Sequence, residues 1–322
     1  TPFTREEAQT LRDVSGRLGF HVLYAPFETA APVVSPAVDA VEGTLPSDYA
    51  RLILTPDRAA FYDAYPQDIR PTTDDRPFYF HTTKLKDQLH VAFGRTMLFG
   101  NGLSALLTLL GISVALVVLF IVGPLAIAGG TRPSGWFGWL VYFGALGAGF
   151  MLIEVSVLQR FVLLLGHPVY SLTVTLFSLL LGTGIGAAWS RRLRESTLRR
   201  STAISIVIVA AAVILVILIA TPLVSWAIPF PRDVRIAIAV AALVPLGVAL
   251  GVPMPAGIRL LSARAPQMVT WAWGINGALS VLGATLAIFI AMNWGFRVTL
   301  LSASGTYLVG LGAFLVATHP RG

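Results

Sequence analysis

The chain has 322 residues, of which 55% are hydrophobic and 12% are charged, and its formal net charge is +7. A soluble domain carries about a quarter charged residues, so this composition excludes an ordinary soluble protein and favours an integral membrane protein. Cysteine is absent, which excludes disulfide bonds, thiolate metal sites and a cysteine nucleophile.

The charges divide the chain into two parts. Residues 1–100 contain ten basic and thirteen acidic residues, whereas residues 101–322 contain thirteen arginines and three acidic residues. These arginines lie in short loops between apolar runs, which is typical of charges that set membrane topology beside anionic lipid. No nucleic-acid-binding motif accompanies them, so we expect the lipid bilayer as a partner and no nucleic acid. We therefore predict a polar part, residues 1–95, and a transmembrane helical bundle, residues 96–322.

The polar part begins with a predicted helix. Thr4 and Glu7 have the spacing of a capping box, and Gly19 is placed to end the helix. A strand, a loop and two short helices follow in the prediction: FHVLYAP at 20–26, residues 27–44, and residues 46–55 and 56–66. This part is too short for a complete α/β domain, so we expect it to be the C-terminal fragment of one within a longer protein.

The second part contains apolar runs of the length that crosses a bilayer, which is about 20 residues. We predict seven spans: residues 102–126, 136–158, 169–190, 202–221, 236–252, 270–292 and 297–317. Glycines recur at the spacing of helix contacts in GALGAG (144–149), GTGIGA (182–187) and GVALG (247–251). GTGIGA also approaches a dinucleotide-binding fingerprint, but it lies inside an apolar run without a preceding strand, so we interpret it as helix packing.

The loop SRRLRESTLRR (190–200) is the strongest topology signal, because five arginines favour the cytoplasmic side. Alternation of seven spans then places residues 1–95 on the opposite side, although Lys84, Lys86 and Arg95 precede the first span. Two interpretations stay open: the polar part is external, or the first run does not cross the membrane once in the simple way.

Glu154 is the sharpest candidate for a site within the bundle. A carboxylate in hydrocarbon costs at least about 2.5 kcal/mol, so such residues have partners or functions. Arg160 lies six residues further on, which places it on another face of the helix, so a partner has to come from elsewhere. The candidate intramembrane polar site comprises Glu154, Asn276, His167, Tyr170 and Arg259. A substrate or gating role for Glu154 and a structural tether between helices are both open.

The remaining polar residues have simpler interpretations. We expect Arg160 to extend its charge to water at the membrane interface, and His167 to form a turn between two spans and not to bind metal. We expect Asn276 to make a hydrogen bond between helices, although substrate binding is the alternative. GVPMPAGIR (251–259) predicts a helix exit with Arg259 at the headgroups, or a broken helix as in transporters.

Three segments together carry a family resemblance: GFMLIEVSVLQRFVLLLGHPVYSLTVTLFSLLLGTGIGAAWSRRLR (149–194), GVPMPAGIRLL (251–261) and WAWGINGALSVLGATLAI (271–288). They resemble the membrane region of bacterial fused spermidine synthase-like proteins, which is loosely similar to the major facilitator superfamily. PTTDDRPFYFH (71–81) is similar to the segment that leads from the soluble domain into the helices. The resemblance implies a location in the bacterial inner membrane and an aminopropyltransferase-like domain of the methyltransferase type.

The resemblance also implies what residues 1–95 lack. The family binds an S-adenosylmethionine-type ligand with a Gly-rich loop and uses a later acidic residue, and neither pattern occurs here. We therefore expect no cofactor and no catalytic residue in this chain. Three functions remain: a membrane module that anchors or serves an aminopropyltransferase-like domain, a transporter-type bundle that moves a small cation such as a polyamine, and a purely structural anchor.

Overall fold

The computed structural model describes residues 3–20, 22, 24, 27, 46–88, 102–127, 133 and 135–319. The chain forms two compact units, Thr1–Pro71 and Thr72–Gly322. Within the described ranges there is no β-strand, and the only β-pairing is an isolated bridge between Thr73 and Arg76.

The described residues of the first unit form three short helices, α1 (Arg5–Arg17), α2 (Pro46–Leu54) and α3 (Arg58–Ala64). The predicted capping box is confirmed: the Thr4 side chain accepts from the backbone N–H of Glu7, and the Glu7 carboxylate accepts from the backbone N–H of Thr4. Gly19 follows α1 with φ +76°, a conformation that glycine adopts without strain. The predicted loop and most of the predicted strand at 20–26 lie outside the described residues.

The second unit is a bundle of apolar helices joined by short turns. Its α-helices are α4 (Gly102–Val117), α5 (Gly123–Ile127), α6 (Trp136–Leu165), α7 (Pro168–Ser190), α8 (Leu198–Ala227), α9 (Arg232–Gly251), α10 (Pro253–Arg264), α11 (Val269–Trp294) and α12 (Phe296–Ala317). A π-helical turn, Val118–Val122, joins α4 to α5. Among the described residues, six stretches are long and apolar enough to span a membrane: Trp136–Leu165, Pro168–Ser190, Glu195–Ala227, Arg232–Arg264, Pro266–Trp294 and Phe296–Ala317. The protein is therefore an integral membrane protein.

The six long helices coincide with the last six of the seven predicted spans, but most of them extend further at one or both ends. The helix predicted over 136–158 continues to Leu165, and the helix predicted over 202–221 covers Leu198–Ala227. The first predicted span, 102–126, is helical from Gly102 to Ile127, but its apolar helix, Ala105–Phe120, is shorter than the other six.

The centre of the bundle is α6, which packs against both α11 and α12. The contacts depend on glycine: a Cβ atom at Gly147 would lie 2.2 Å from the carbonyl oxygen of Asn276, and one at Gly149 would lie 2.7 Å from the Tyr307 ring. On the other side of the bundle, α7 packs on α9, where a Cβ at Gly186 would lie 2.2 Å from the carbonyl oxygen of Val248. GTGIGA is therefore a helix-packing element, as predicted.

At GVPMPAGIR, α9 ends at Gly251 and α10 begins at Pro253, so the broken-helix alternative fits the structure and an exit into a loop does not. Val252 keeps right-handed helical angles (φ −80°, ψ −45°), so α10 follows α9 directly and the apolar helical stretch continues to Arg264. Pro253 occupies the first turn of α10, where its missing N–H costs no hydrogen bond. The Pro253 carbonyl also accepts a hydrogen bond of 2.7 Å from the Tyr142 hydroxyl, which joins this junction to α6.

The order of the helices gives the bundle two distinct ends. We call the end that contains Gly166, Pro231 and Gly295 the docking end, and the opposite end, with residues 191–200, the arginine-rich end. Gln88 lies at the docking end beside Asn293, whereas Gly135 lies at the arginine-rich end beside Ala317. Gln88 and Gly135, which flank α4 and α5 in the sequence, therefore lie at opposite ends of the bundle.

Candidate functional site

A buried ion pair lies at the docking end. Arg160, near the C-terminal end of α6, is only 7% exposed, and its Nη2 donates to Oδ1 of Asp75. The expectation that Arg160 extends its charge to water is therefore wrong. Its helix continues past the polar residue to Leu165, so the guanidinium lies inside the bundle and a carboxylate from residues 72–88 balances its charge.

Asp75 also completes the first turn of α12. Its backbone carbonyl accepts a hydrogen bond of 2.9 Å from the N–H of Phe296, and its Oδ1 accepts one of 3.0 Å from the N–H of Arg297. These N–H groups have no partner within their own helix, and a negative charge is favourable at a helix N-terminus. Asp75 therefore acts as an N-terminal cap supplied from a distant part of the chain.

Gly295 makes this approach possible. Its φ of +91° lies in the region that favours glycine, and a Cβ atom at this position would lie 2.4 Å from Oδ2 of Asp75. Any side chain at residue 295 would both strain the backbone and displace the Asp75 carboxylate.

Two further contacts hold the same segment. Nε2 of Gln88 donates a hydrogen bond of 2.7 Å to Oδ1 of Asn293, and both side chains are buried. The rings of Phe78 and Phe296 lie 5.8 Å apart between centroids. Residues 72–88, which we call the docking segment, are therefore attached to the ends of α6 and α11 and the start of α12.

Glu154, the candidate from the sequence, is half-buried in α6. Among the residues that the structure describes, none donates a hydrogen bond to its carboxylate or forms an ion pair with it. The four residues expected as its partners all have other partners, so the described structure does not provide the predicted tether.

Asn276 makes the interhelical hydrogen bond that we expected. Its Nδ2 donates to the carbonyl oxygen of Phe143 over 3.0 Å, which joins α11 to α6. This hydrogen bond satisfies the side-chain amide of Asn276, which would have no partner in the hydrocarbon of a membrane. This position is therefore structural in the described part of the chain.

His167 and Tyr170 lie together at the docking end. His167 is the N-cap residue of α7, and its Nδ1 accepts a hydrogen bond of 3.3 Å from the N–H of Val169, so the predicted turn is confirmed. The Tyr170 hydroxyl accepts a hydrogen bond of 3.0 Å from Arg232, whose guanidinium lies 5.1 Å from the Tyr170 ring centroid. This pair joins α7 to α9 and is separate from Glu154.

Arg259 lies at the arginine-rich end, within α10. Its guanidinium donates to the carbonyl oxygens of Ser190 (2.8 Å) and Leu193 (3.1 Å) and to the carboxylate of Glu195. It therefore fixes the loop between α7 and α8 and satisfies the last carbonyl of α7. Within the described ranges, no group of three or more His, Asp and Glu residues is arranged to hold a metal ion.

The five candidate residues therefore do not form one site. The structure instead forms a polar cluster of Asp75, Arg160 and the start of α12. No motif or spacing in the sequence links these residues. The sequence does contain a signal for this cluster. An arginine in an apolar run and the paired aspartates of PTTDDRP are opposite charges that both need a partner. Comparison of the chain with family models, with curated proteins and with solved structures finds no match in any of the three.

Proposed function

We propose that this chain is the membrane-embedded C-terminal part of a spermidine synthase-like fusion protein, in the inner membrane of a bacterium. In this proposal the bundle anchors and serves an aminopropyltransferase-like domain that uses an S-adenosylmethionine-type ligand. Residues 1–95 are the C-terminal fragment of that domain, which has an α/β fold, together with the linker into the membrane, and the bundle itself is not catalytic.

The attachment of the docking segment supports this proposal. A simple tether needs only a flexible linker, whereas here a buried ion pair and two backbone hydrogen bonds fix Asp75 against the bundle. Burial of Arg160 without its carboxylate would be costly, so the segment has a strongly preferred position. A fixed position is expected where the orientation of an attached domain matters.

Activity of the full-length protein provides the test. Membranes that contain the full-length protein are supplied with decarboxylated S-adenosylmethionine and putrescine, and formation of spermidine is measured. We expect activity in the wild-type protein, a loss in Asp75→Asn, and no loss in Asp233→Asn, which changes an exposed carboxylate in the first turn of α9. No spermidine from the wild-type protein would refute the enzymatic assignment, and equal activity of all three would refute the role of the docking segment.

The positions of the arginines support one membrane orientation for this proposal. Five arginines of the loop 190–200 favour the cytoplasm, which places the docking segment on the opposite face. Because the chain has no cysteine, single cysteines introduced at Thr82 and Ser196 can be labelled separately in intact cells with a membrane-impermeant maleimide. We expect labelling of Thr82→Cys and not of Ser196→Cys; the reverse result would refute this orientation.

A transporter for a small cation such as a polyamine is the second candidate, and Glu154 favours it. A half-buried carboxylate that no described residue neutralises is suited to meet a cationic ligand. Spermidine uptake into proteoliposomes is compared between the wild-type protein, Glu154→Gln and Asn276→Ala. Uptake that only Glu154→Gln abolishes would favour transport, and no uptake by the wild-type protein would leave the anchoring functions.

A further inference from the structure

A cleft of about 350 Å³ opens at the docking end, beside the Asp75–Arg160 pair. Its charged lining residues are Asp74, Asp75, Arg160 and Arg297. The lining also includes hydroxyl groups of Thr73, Thr221 and Ser225 and apolar side chains that include Leu163, Val224 and Ile228. The cleft is large enough for a small ligand or a lipid headgroup.

Arg160 contributes a buried positive charge beside this cleft. Its Nη2 is occupied by Asp75, but its Nε is buried and has no hydrogen-bond partner among the described residues. Buried polar groups are almost always satisfied, so this Nε calls for an acceptor, for which a water molecule is sufficient. A guanidinium binds carboxylate or phosphate oxygens best, because its N–H groups match their geometry.

The exposed charges of the cleft have opposite signs. The side chains of Asp74 and Arg297 are both exposed, and Asp75 already neutralises part of the charge of Arg160. A ligand with only negative charge would therefore meet the Asp74 carboxylate, and one with only positive charge would meet Arg297. A ligand that carries one anionic and one cationic group matches both.

The position of the cleft favours a lipid as the source of that ligand. It lies where α6 and α8 end and α12 begins, the level at which helices leave the hydrocarbon and meet the headgroups. The exposed apolar side chains of Leu163 and Ile228 stand beside the charged groups. Apolar walls next to opposite charges suit a phospholipid, whose acyl chains and zwitterionic headgroup have the same arrangement.

We propose that this cleft binds the headgroup of a phospholipid of the phosphatidylethanolamine type. The phosphate accepts from the guanidinium of Arg297, and the primary ammonium donates to Asp74 and to the hydroxyls of Thr221 and Ser225. A choline headgroup has no N–H to donate, so the cleft discriminates against phosphatidylcholine.

Native mass spectrometry tests this proposal. The purified chain is mixed with dioleoyl phosphatidylethanolamine and dioleoyl phosphatidylcholine in equal amounts, and the ratio of the first bound lipid is measured. We expect phosphatidylethanolamine to be favoured by roughly fivefold, the upper range for a partly exposed charge pair. Asp74→Asn is expected to reduce the ratio to about one, whereas Asp233→Asn, an exposed carboxylate outside the cleft, leaves it unchanged.

Arg297→Gln gives a second, independent measurement. It removes a phosphate donor while the backbone N–H of residue 297 still bonds to Asp75, so we expect weaker binding of both lipids without unfolding. Equal binding of the two lipids by the wild-type protein would overturn the proposal. So would a preference that survives Asp74→Asn, or undiminished binding of both lipids by Arg297→Gln. Displacement of the bound lipid by free phosphoethanolamine at equal concentration would also overturn it, because it would show a site for a soluble zwitterion.

Discussion

Asp75→Asn removes the charge that balances Arg160 and changes little else in shape. The asparagine oxygen still accepts from the N–H of Arg297, so the cap of α12 is kept while the ion pair is lost. Arg160 is 7% exposed, so it keeps a buried charge without a partner, and breaking such a pair costs about 3–5 kcal/mol. Because Asp75 is 30% exposed, we expect the lower end, about 3 kcal/mol.

The thermal midpoint converts this energy into a measurable shift. At 2–4 °C per kcal/mol, Asp75→Asn is expected to lower Tm by roughly 6–12 °C. The assay is tryptophan fluorescence during heating in detergent, for which the chain has seven tryptophans. Asp233→Asn, an exposed carboxylate at the same end of the bundle, is expected to change Tm by less than about 2 °C.

A double-mutant cycle separates the ion pair from other effects. Arg160→Met replaces the buried charge with an apolar chain, and the remaining Asp75 still caps α12 and reaches water. The combination of Asp75→Asn with Arg160→Met leaves no charge buried, so we expect it to be more stable than Asp75→Asn alone. If the destabilisation of the double variant equals the sum of the two single destabilisations to within about 0.5 kcal/mol, Asp75 and Arg160 do not stabilise each other as described.

The same structure leads to four further predictions. Gly295→Ala is expected to destabilise the bundle by about 1–3 kcal/mol, because residue 295 has a positive φ and contacts Asp75. Gly305→Ala in α12 is the control, since its Cβ meets open space, and equal Tm values for the two variants would contradict this expectation. Gly186→Ala is expected to lower Tm by separating α7 from α9, and an equal effect of Gly184→Ala, which meets no atom within 4 Å, would contradict this. Asn276→Leu is expected to lower the free energy of unfolding by about 1 kcal/mol, because it removes the hydrogen bond to Phe143. If Glu154 lines a water-filled cavity, Glu154→Leu is expected to destabilise the bundle less than Asn276→Leu. Thermal unfolding in detergent that shows the opposite order of stability would count against such a cavity. Hydrogen bonds from the backbone N–H and the hydroxyl of Thr4 lower the pKa of Glu7, so α1 is stabilised above the ordinary pKa of 4.5 and loses that contribution as the pH falls through the lowered pKa. The protection factors of the first-turn amides should fall there, and much less in Glu7→Gln, whose side chain does not titrate.

Local signals in the sequence predicted much of this fold. The capping box at Thr4, the turn at His167 and the packing role of GTGIGA each depend on residues that are close in sequence, and all three are confirmed. The last six spans were identifiable because an apolar run of 20 residues has few alternatives to a membrane helix. Their ends were less accurate, since α6 and α8 continue through polar residues that hydropathy assigns to loops.

The polar cluster at the docking end could not be predicted in the same way. Asp75 and Arg160 are 85 residues apart, and Asp75 and Arg297 are 222 residues apart, so no periodicity connects them. The apolar run around Arg160 suggested an interface, but whether an arginine extends to water or meets a carboxylate depends on which other segment lies beside it. Pro253 suggested that the chain leaves the helix, but the first turn of a helix tolerates proline. The chain therefore continues from Pro253 as α10.

The remote cap on α12 has a consequence for biogenesis. The last helix of the bundle emerges from the ribosome long after Asp75, yet its first turn is incomplete until that carboxylate is in place. Insertion of α12 therefore brings the start of the membrane unit, at Asp75, into contact with its last described helix. A chain truncated before residue 296 would lack both N–H groups that bond to Asp75, so the docking segment would keep only its contacts with Arg160 and Asn293.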